Sequence, residues 1–322
     1  MISVIIPTYN AALLIGRAIR SVLDQRDVPE FEILIIDDCS SDNTLEVVRG
    51  IADGRIRVFR QSENRGPAAA RNRGLREARG EYSAFLDGDD FWEPEFLKAT
   101  SDFLNAHPET VAVSVMQCHK IIGKEAAISP RGVGIDRPVV LEDFFAFWGR
   151  YNHVCTGSVL MRTEIARQIG GQREDLRVCE DLEFWAMLAT YGPWGFIPKV
   201  LFTSDGGAVT RKIGVYKKNF LRMSCVKNVQ EWGTRLSARL SISQKQEIIP
   251  VLNRITIPGT YSLLYIGQYR RAYRNIQYYQ PNGRDVPIIV RCARCGFLGM
   301  LGFGVLYRLY RFFKDIFNSI AR

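Results

Sequence analysis

Four short apolar runs alternate with three helix-like segments in the first 90 residues, and this rhythm constrains the chain more than any other feature. The runs are Ile2 to Ile6, ended by Pro7, then Phe31 to Ile36, Arg55 to Arg60 and Tyr82 to Leu86. Between them, helices are expected from about Leu13 to Asp24, from Thr44 to Ile51 and from Pro67 to Arg79. Leu14, Ala18, Ile19 and Val22 share one face of the first helix, and Ser40-Ser41-Asp42-Asn43 caps the second. Gly80 closes the third. A β-α-β-α-β-α-β order of this length predicts a doubly wound, mostly parallel sheet flanked by helices. The runs do not alternate apolar with polar residues, so both sheet faces must be covered.

Ligands of such sheets bind beyond the carboxyl ends of the strands. Three polar clusters fall there: Thr8-Tyr9-Asn10, Asp37-Asp38 and Asp87-Gly88-Asp89-Asp90. The last is three carboxylates in four residues. Like charges so close raise each other's pKa. A hard divalent cation such as Mg²⁺ or Mn²⁺ takes oxygen ligands and bridges carboxylates to substrate phosphates. The cluster therefore reads as a metal-dependent site for a phosphorylated donor. Alone it would read as a solvated acidic turn before the helix near Pro94; the convergence of three strand ends favours the site.

From residue 91 to 205 the pattern is mixed. Helices are expected at Pro94 to Asn105, Thr163 to Ile169 and Asp181 to Tyr191. Strands are expected at Val111 to Met116 and Gly157 to Arg162, with an extended piece at Trp194 to Phe202. Asp205 to Thr210 reads as a hinge, and the remainder as helical. Two domains follow: residues 1–205 as the catalytic domain and 206–322 as a basic, helical C-terminal region.

Charge divides along the same line. Residues 1–205 carry 23 Lys and Arg against 30 Asp and Glu, whereas residues 206–322 carry 20 against 4. The C-terminal part thus calls for an acidic partner. Residues 288–314 mix apolar clusters such as Phe297-Leu298 and Phe312-Phe313 with arginines. The longest uncharged piece, Cys295 to Tyr307, is shorter than the ~20 residues a membrane span needs. Aromatics interleaved with Arg suit an interfacial helix on an anionic bilayer, and each basic side chain there contributes about 1 kcal/mol. The alternatives are packing on the catalytic domain or a dimer interface. A nucleic-acid partner fits poorly, because the apolar clusters are too large for a phosphate-tracking face.

Other residues say less. The chain opens directly in a strand, so a secretory leader is not expected. Seven scattered cysteines point to a reducing cytosol. Cys292 and Cys295 form a lone C-x-x-C with no nearby histidine, which is weak grounds for zinc. His119 and His153 read as structural. Trp185 and Trp194 could stack on an acceptor sugar but fit a buried core role better.

Five motifs in order, Pro7-Thr8-Tyr9-Asn10, Asp37 to Asp42, Asn64-Arg65-Gly66 with Ala70-Arg71-Asn72, Leu86 to Asp90 and Glu180-Asp181, give a family likeness. Over residues 2–205 the chain resembles the family 2 glycosyltransferases, inverting enzymes of the GT-A fold. Cys39 stands where many members have Gly or Asn. The last third carries no motif of the family.

The resemblance implies roles. Pro7, Thr8 and Tyr9 would bind the nucleotide, with Tyr9 stacking on the base. Asp38 would accept a hydrogen bond from a uracil edge, while Asp37 fits a ribose-loop or capping role as well. Arg71 would lie near the uracil or diphosphate. Asp89 would touch the metal, Asp87 the ribose or a metal-bound water, and Asp90 would support them. Asp181 would be the catalytic base, with Glu180 as the fallback; the competing role for Asp181 is a helix cap. The implied activity is hexosyl transfer from a nucleotide sugar, UDP by the likeness, to a saccharide or lipid-linked acceptor in cell-surface polysaccharide synthesis. The implied location is the cytoplasmic face of the cell membrane. A nucleotidyltransferase would share the carboxylates. It would need a glycine-rich basic loop after strand one, and Thr8 to Leu13 has neither glycine nor a base.

Overall fold

The computed structural model describes residues 1–120, 125–176, 178–205, 225, 233–281 and 286–320. They fall into two compact units: residues 1–175 with 180–213, and residues 176–179 with 214–322.

The first unit is built on one ten-stranded sheet. Its strands are β1 (Ile2–Thr8), β2 (Phe31–Asp37), β3 (Ile56–Arg60), β4 (Tyr82–Phe85), β5 (Phe91–Trp92), β6 (Ala112–His119), β7 (Ala127–Ser129), β8 (Val139–Val140), β9 (Val159–Arg162) and β10 (Trp194–Ser204). The order along the main path is β3-β2-β1-β4-β9-β6-β10-β5. The first four strands run parallel, as the alternation predicts, and β9 inserts antiparallel between β4 and β6. The fold is GT-A-like, with a mixed, mostly parallel sheet.

Helices α1 (Ile15–Leu23), α2 (Thr44–Arg49), α3 (Pro67–Glu77), α4 (Phe96–Ala106), α5 (Phe144–Arg150), α6 (Thr163–Gln168) and α7 (Glu180–Ala189) belong to this unit. Alternate residues of β1 serve opposite faces. Val4 and Ile6 join one core with Ile15, Ile19 and Val22 of α1 and Phe96 of α4. Ile5 meets α3, where a Cβ on Gly74 would lie 2.2 Å from the Ile5 side chain. Only glycine lets α3 approach so closely, and α3 carries Arg71 toward the strand ends.

Several boundaries differ from expectation. β1 does not stop at Pro7. It runs on to Thr8, with Pro7 opposite Ile36 and Thr8 opposite Asp37. Ile15, rather than Leu14, heads the buried face of α1, and Leu14 is half-buried. The third helix ends at Glu77, because Ala78 is already extended, so Gly80 does not close it. Gly80 instead sits where a Cβ would come within 2.6 Å of the Ser3 nitrogen. β6 reaches His119, three residues beyond its expected end, because β7 and β10 supply partners there. Strands β5, β7 and β8 and helix α5 are additions. Of the hinge expected at residues 205–210, residues 206–210 lie outside the described residues.

The second unit contains α8 (Ile242–Glu247), α9 (Ile249–Tyr265), α10 (Tyr269–Ile276), α11 (Ile288–Arg294) and α12 (Gly296–Ile320). Leu263, Leu264, Ile276, Ile289, Val290 and Met300 are buried in its own core. On α12, Phe303 and Tyr307 pack against that core, while Leu298, Val305, Leu306, Leu309 and Tyr310 are exposed. Among the described residues no helix is long and apolar enough to cross a membrane.

Candidate active site

The carboxyl ends of β1 and β2 are tied together before any ligand arrives. Asn10 has φ 50° and Cys39 φ 64°, so both loops turn through the left-handed region. Asn10 Oδ1 accepts from the Ser41 nitrogen at 2.9 Å, and the Asn10 nitrogen donates to Ser40 Oγ at 3.0 Å. A residue in this conformation is easiest as Gly or Asn, which explains why Cys39 is the unusual choice at its position. Thr8 is buried, and its Oγ1 has no hydrogen-bond partner among the described residues. Tyr9 is 51% exposed, with its ring available at the rim.

The two aspartates that end β2 differ. Asp37 is fully buried, accepts from the Ser40 nitrogen and pairs with Arg60 at 3.4 Å, so it holds the loop. Asp38 accepts from Gln61 Nε2 at 2.6 Å and from the backbone nitrogens of Arg65 and Gly66 at 2.9 and 2.7 Å. A carboxylate has about four acceptor positions. Asp38 therefore keeps one for a ligand while it fixes the Gln61–Gly66 loop.

Arg71 is the hub. Helix α3 buries it to 4% exposure. Its Nη2 donates to Asp87 Oδ1 at 2.8 Å, and Nη1 donates to Gln172 Oε1 at 3.1 Å. Nη1 also lies 3.6 Å from Glu180 Oε1. Burial alone would lower the Arg71 pKa, but the charges of Asp87, Glu180 and Asp181 outweigh it and hold the guanidinium firmly charged. One buried cation thus joins the end of β4 to the start of α7. Asn72, next in the helix, pins the loop before α7 by accepting from the Gln172 nitrogen at 2.8 Å and donating to its carbonyl at 2.8 Å. A Cβ on Gly171, at φ 67°, would lie 2.3 Å from Asn72 Oδ1. Gln172 and Asn72 had no assigned role in the sequence; their only signal was Asn72's place beside Arg71.

The acidic cluster carries surplus negative charge. Burial, reinforced by Asp87, pushes the Asp89 carboxyl up to about 6, with Arg17 opposing. Burial, then Asp87 and Asp89, pushes Asp90 up to about 8. Asp90 Oδ1 accepts from the Asp205 nitrogen at 2.9 Å. Arg17 of α1 donates to the Asp89 carbonyl and to Asp205 Oδ2, which closes the far side of the cluster. Nothing in the sequence separates Arg17 from an ordinary surface arginine of an amphipathic helix.

These residues are of the chemical type that a hard divalent cation takes as ligands. The donors are all carboxylate oxygens, and burial together with mutual repulsion holds Asp89 and Asp90 above their ordinary pKa. Among the described residues no group of three or more His, Cys, Asp or Glu is placed to hold a metal ion. Cys292 and Cys295 are included in that statement, and Cys295 is exposed.

Asp181 stands in the first turn of α7, half-buried. Burial raises its pKa above the usual carboxylate range. Arg71 opposes the shift and Asp87 adds to it. Thr156 Oγ1 donates to Asp181 Oδ2 at 3.5 Å, a long bond from the loop before β9. That loop needs Gly157, at φ 96°, because a Cβ there would lie 2.3 Å from the Phe202 ring. Glu180 is buried against Arg71. Asp87, Arg71, Glu180 and Asp181 therefore form one electrostatic group. Asp38 has no direct contact with it; the link runs through Arg65, Glu174 and Asn72. Trp185 and Trp194 are fully buried in an aromatic core, so neither offers a face to a sugar. His153 is buried beside Ser114, and His119 ends β6.

Residues 3–170 match the family described as Glycosyl transferase family 2. TuaG of Bacillus subtilis is 31% identical over 196 residues, which cover 60% of this chain and 73% of TuaG. A GalNAc(5)-diNAcBac-PP-undecaprenol beta-1,3-glucosyltransferase of Campylobacter jejuni is 34% identical over 187 residues, 55% of this chain and 58% of that enzyme. The chain therefore spans little more than half of the second relative. Among solved structures, TarS 1-349 of S. aureus aligns with a TM-score of 0.63 at 20% identity, covering 96% of this chain and 91% of that one. The mannosyltransferase PcManGT of Pyrobaculum calidifontis, solved with GDP-Man and Mn²⁺, aligns at 0.57 and 18% identity over 98% of this chain and 87% of that one. At such identities these structures speak for the fold. The family match covers more than half of the sequence, and the chain is a member of the family 2 glycosyltransferases.

Proposed function

We propose that this enzyme transfers a hexose, with inversion, from a UDP-sugar to a hydroxyl of a saccharide or lipid-linked acceptor during cell-surface glycan synthesis. The observation that carries the reading is the Arg71 bridge between Asp87 and Glu180. It brings the acidic cluster and the candidate base to one buried guanidinium. The Campylobacter relative's name gives an undecaprenol-PP-linked glycan as its acceptor, which supports a lipid-linked acceptor here.

Asp181 takes the proton from the acceptor hydroxyl as that oxygen attacks C1 of the donor sugar. The new C1–O bond forms as the bond from C1 to the diphosphate oxygen breaks on the opposite face, so an α-linked donor yields a β-linked product. Burial, opposed by Arg71, raises the Asp181 pKa and makes it a stronger base than an ordinary carboxylate. Glu180 and Asp181 share the positive field of Arg71, which keeps the pair from neutralising each other's role. Tyr9 and Asp38 bind the base, Tyr9 by stacking and Asp38 by its remaining acceptor position. Thr8 offers its unpartnered hydroxyl to the donor. Asp89 and Asp87 would hold a Mg²⁺ or Mn²⁺ ion, which would supply positive charge to neutralise the leaving diphosphate. The exposed apolar stripe of α12 and the surplus of basic residues beyond 205 seat the enzyme peripherally on an anionic membrane.

A donor screen with and without Mn²⁺, reading released nucleoside diphosphate, tests the proposal. Acceptor-dependent release from a UDP-hexose that needs the metal is expected. Release from no sugar nucleotide at all would refute it.

A further inference from the structure

The acidic balance of residues 1–205 hides a strongly basic island. Residues 55–79 contain eight arginines, no lysine and two acids. Four of those arginines, Arg60, Arg65, Arg73 and Arg76, line a cavity of about 300 Å³ together with Phe59 and Gln61. No acidic side chain lines it. At roughly 30 Å³ per water this is room for about ten waters, enough for more than one phosphoryl group.

The arginines come from three elements. Arg60 ends the edge strand β3, Arg65 belongs to the loop that grips Asp38, and Arg73 and Arg76 lie one turn apart on α3. Three of them are partly neutralised. Arg60 pairs with Asp37, Arg65 with Glu174 and Arg73 with Glu77. Each of those pairs leaves further guanidinium N–H groups for a ligand, since arginine has five donors. Arg76 has no ion pair or hydrogen bond among the described residues and is exposed. With three of the four paired, Arg76 supplies the uncompensated positive charge that an anion in the hollow would meet. That the basic residues here are all arginine points to planar, bidentate recognition, which suits phosphate.

This hollow is not the diphosphate position. In the order β3-β2-β1-β4 it lies three strands from the end of β4, where Asp87 and Asp89 stand. At ~4.8 Å per strand the separation is roughly 14 Å. The Arg65 wall of the hollow adjoins Asp38, to which the Arg65 backbone nitrogen donates, so the hollow lies beyond the base end of a donor running from Asp89 to Asp38. We propose that the β3–α3 edge is a second anion site that binds a linear phosphodiester chain. A concave, arginine-lined hollow favours separate phosphoryl groups on a flexible chain over the flat headgroup plane of a bilayer. The site stands on its own residues and does not depend on Asp181 being the base or on UDP being the donor nucleotide.

The test uses the full chain and short linear inorganic polyphosphate as the probe, with phosphatidylglycerol vesicles as a second arm. R73Q/R76Q removes two exposed arginines that take no part in the proposed chemistry; its melting temperature and donor-dependent activity should match the wild type. R270Q/R271Q serves as a control in the basic C-terminal part. Wild type and R270Q/R271Q should bind polyphosphate alike, in a salt-dependent manner, and R73Q/R76Q should bind at least tenfold more weakly. The charge reversal R76E should weaken binding by a similar factor on its own. Equal binding by wild type and R73Q/R76Q, or no binding by wild type, overturns the proposal. Loss confined to the vesicles would also overturn it, by assigning the patch to a membrane.

Discussion

Replacing Arg71 with Met should destabilise the catalytic unit by an amount the structure allows one to bound. Arg71 is buried, and its loss leaves the Glu180 carboxylate, only 5% exposed, without its cation. Breaking a buried pair from one side costs about 3–5 kcal/mol. Asp87 adds little, because its side chain is 34% exposed and water can screen it. Gln172 Oε1 loses its donor, worth about 1 kcal/mol. Met fills most of the vacated volume, so the low end, ~3 kcal/mol, is the better figure. At about 2–4 °C per kcal/mol for a unit of this size, the melting temperature should fall by roughly 6–12 °C. Tryptophan fluorescence is the suitable probe, because four of the five tryptophans lie within residues 1–205. Adding Glu180→Gln should recover much of the loss, since the buried charge that faced Arg71 disappears. A single variant that melts within 2 °C of wild type, or a double variant less stable than Arg71→Met alone, would contradict the idea that Arg71 holds the motifs together by charge.

Asp181→Asn should lower kcat by about 10²–10⁴ while nucleotide binding survives; turnover within threefold of wild type would displace Asp181 as the base. The wild-type acid limb follows from the same residue. Its pKa is raised by burial, so the active carboxylate is lost as pH falls through a value above 3.8. The pH–kcat profile should bend above the ordinary carboxylate range, and a bend at or below 3.8 would be inconsistent with this. Gly157→Ala should destabilise by ~2–4 kcal/mol, because φ 96° and a Cβ 2.3 Å from Phe202 are both unfavourable; an unchanged melting temperature would show that the loop yields freely. Cys39→Asn should stabilise by up to ~1 kcal/mol by easing the left-handed φ of 64°; a drop of that size would argue that the thiol packs better than its conformation suggests.

The parallel half of the sheet was legible because its strands are buried on both faces and read as apolar runs. The polar strand ends were legible as well, since Asp38 and Asp87 follow those runs closely in the chain. What escaped depends on partners distant in sequence. β5 is two residues long and exists as a strand only because β10 lies beside it. β9 could be foreseen as a strand, but its antiparallel insertion between β4 and β6 has no local signature. Arg17 and Gln172 became part of the site through contacts with Asp89 and Arg71 that no periodicity encodes. Pro7 misled in the opposite direction. It lacks only a donor, and β1 continues through it to place Thr8 at the rim.

The central claim is that carboxylates at the ends of these strands hold a cation and, through it, a nucleoside diphosphate. Calorimetric titration of UDP into the enzyme, with Mn²⁺ and then with excess chelator, addresses it most directly. The account predicts binding that weakens at least tenfold without the metal, and an Asp89→Asn variant indifferent to it. Equal affinity in both conditions, or an unaltered metal response in Asp89→Asn, would contradict it.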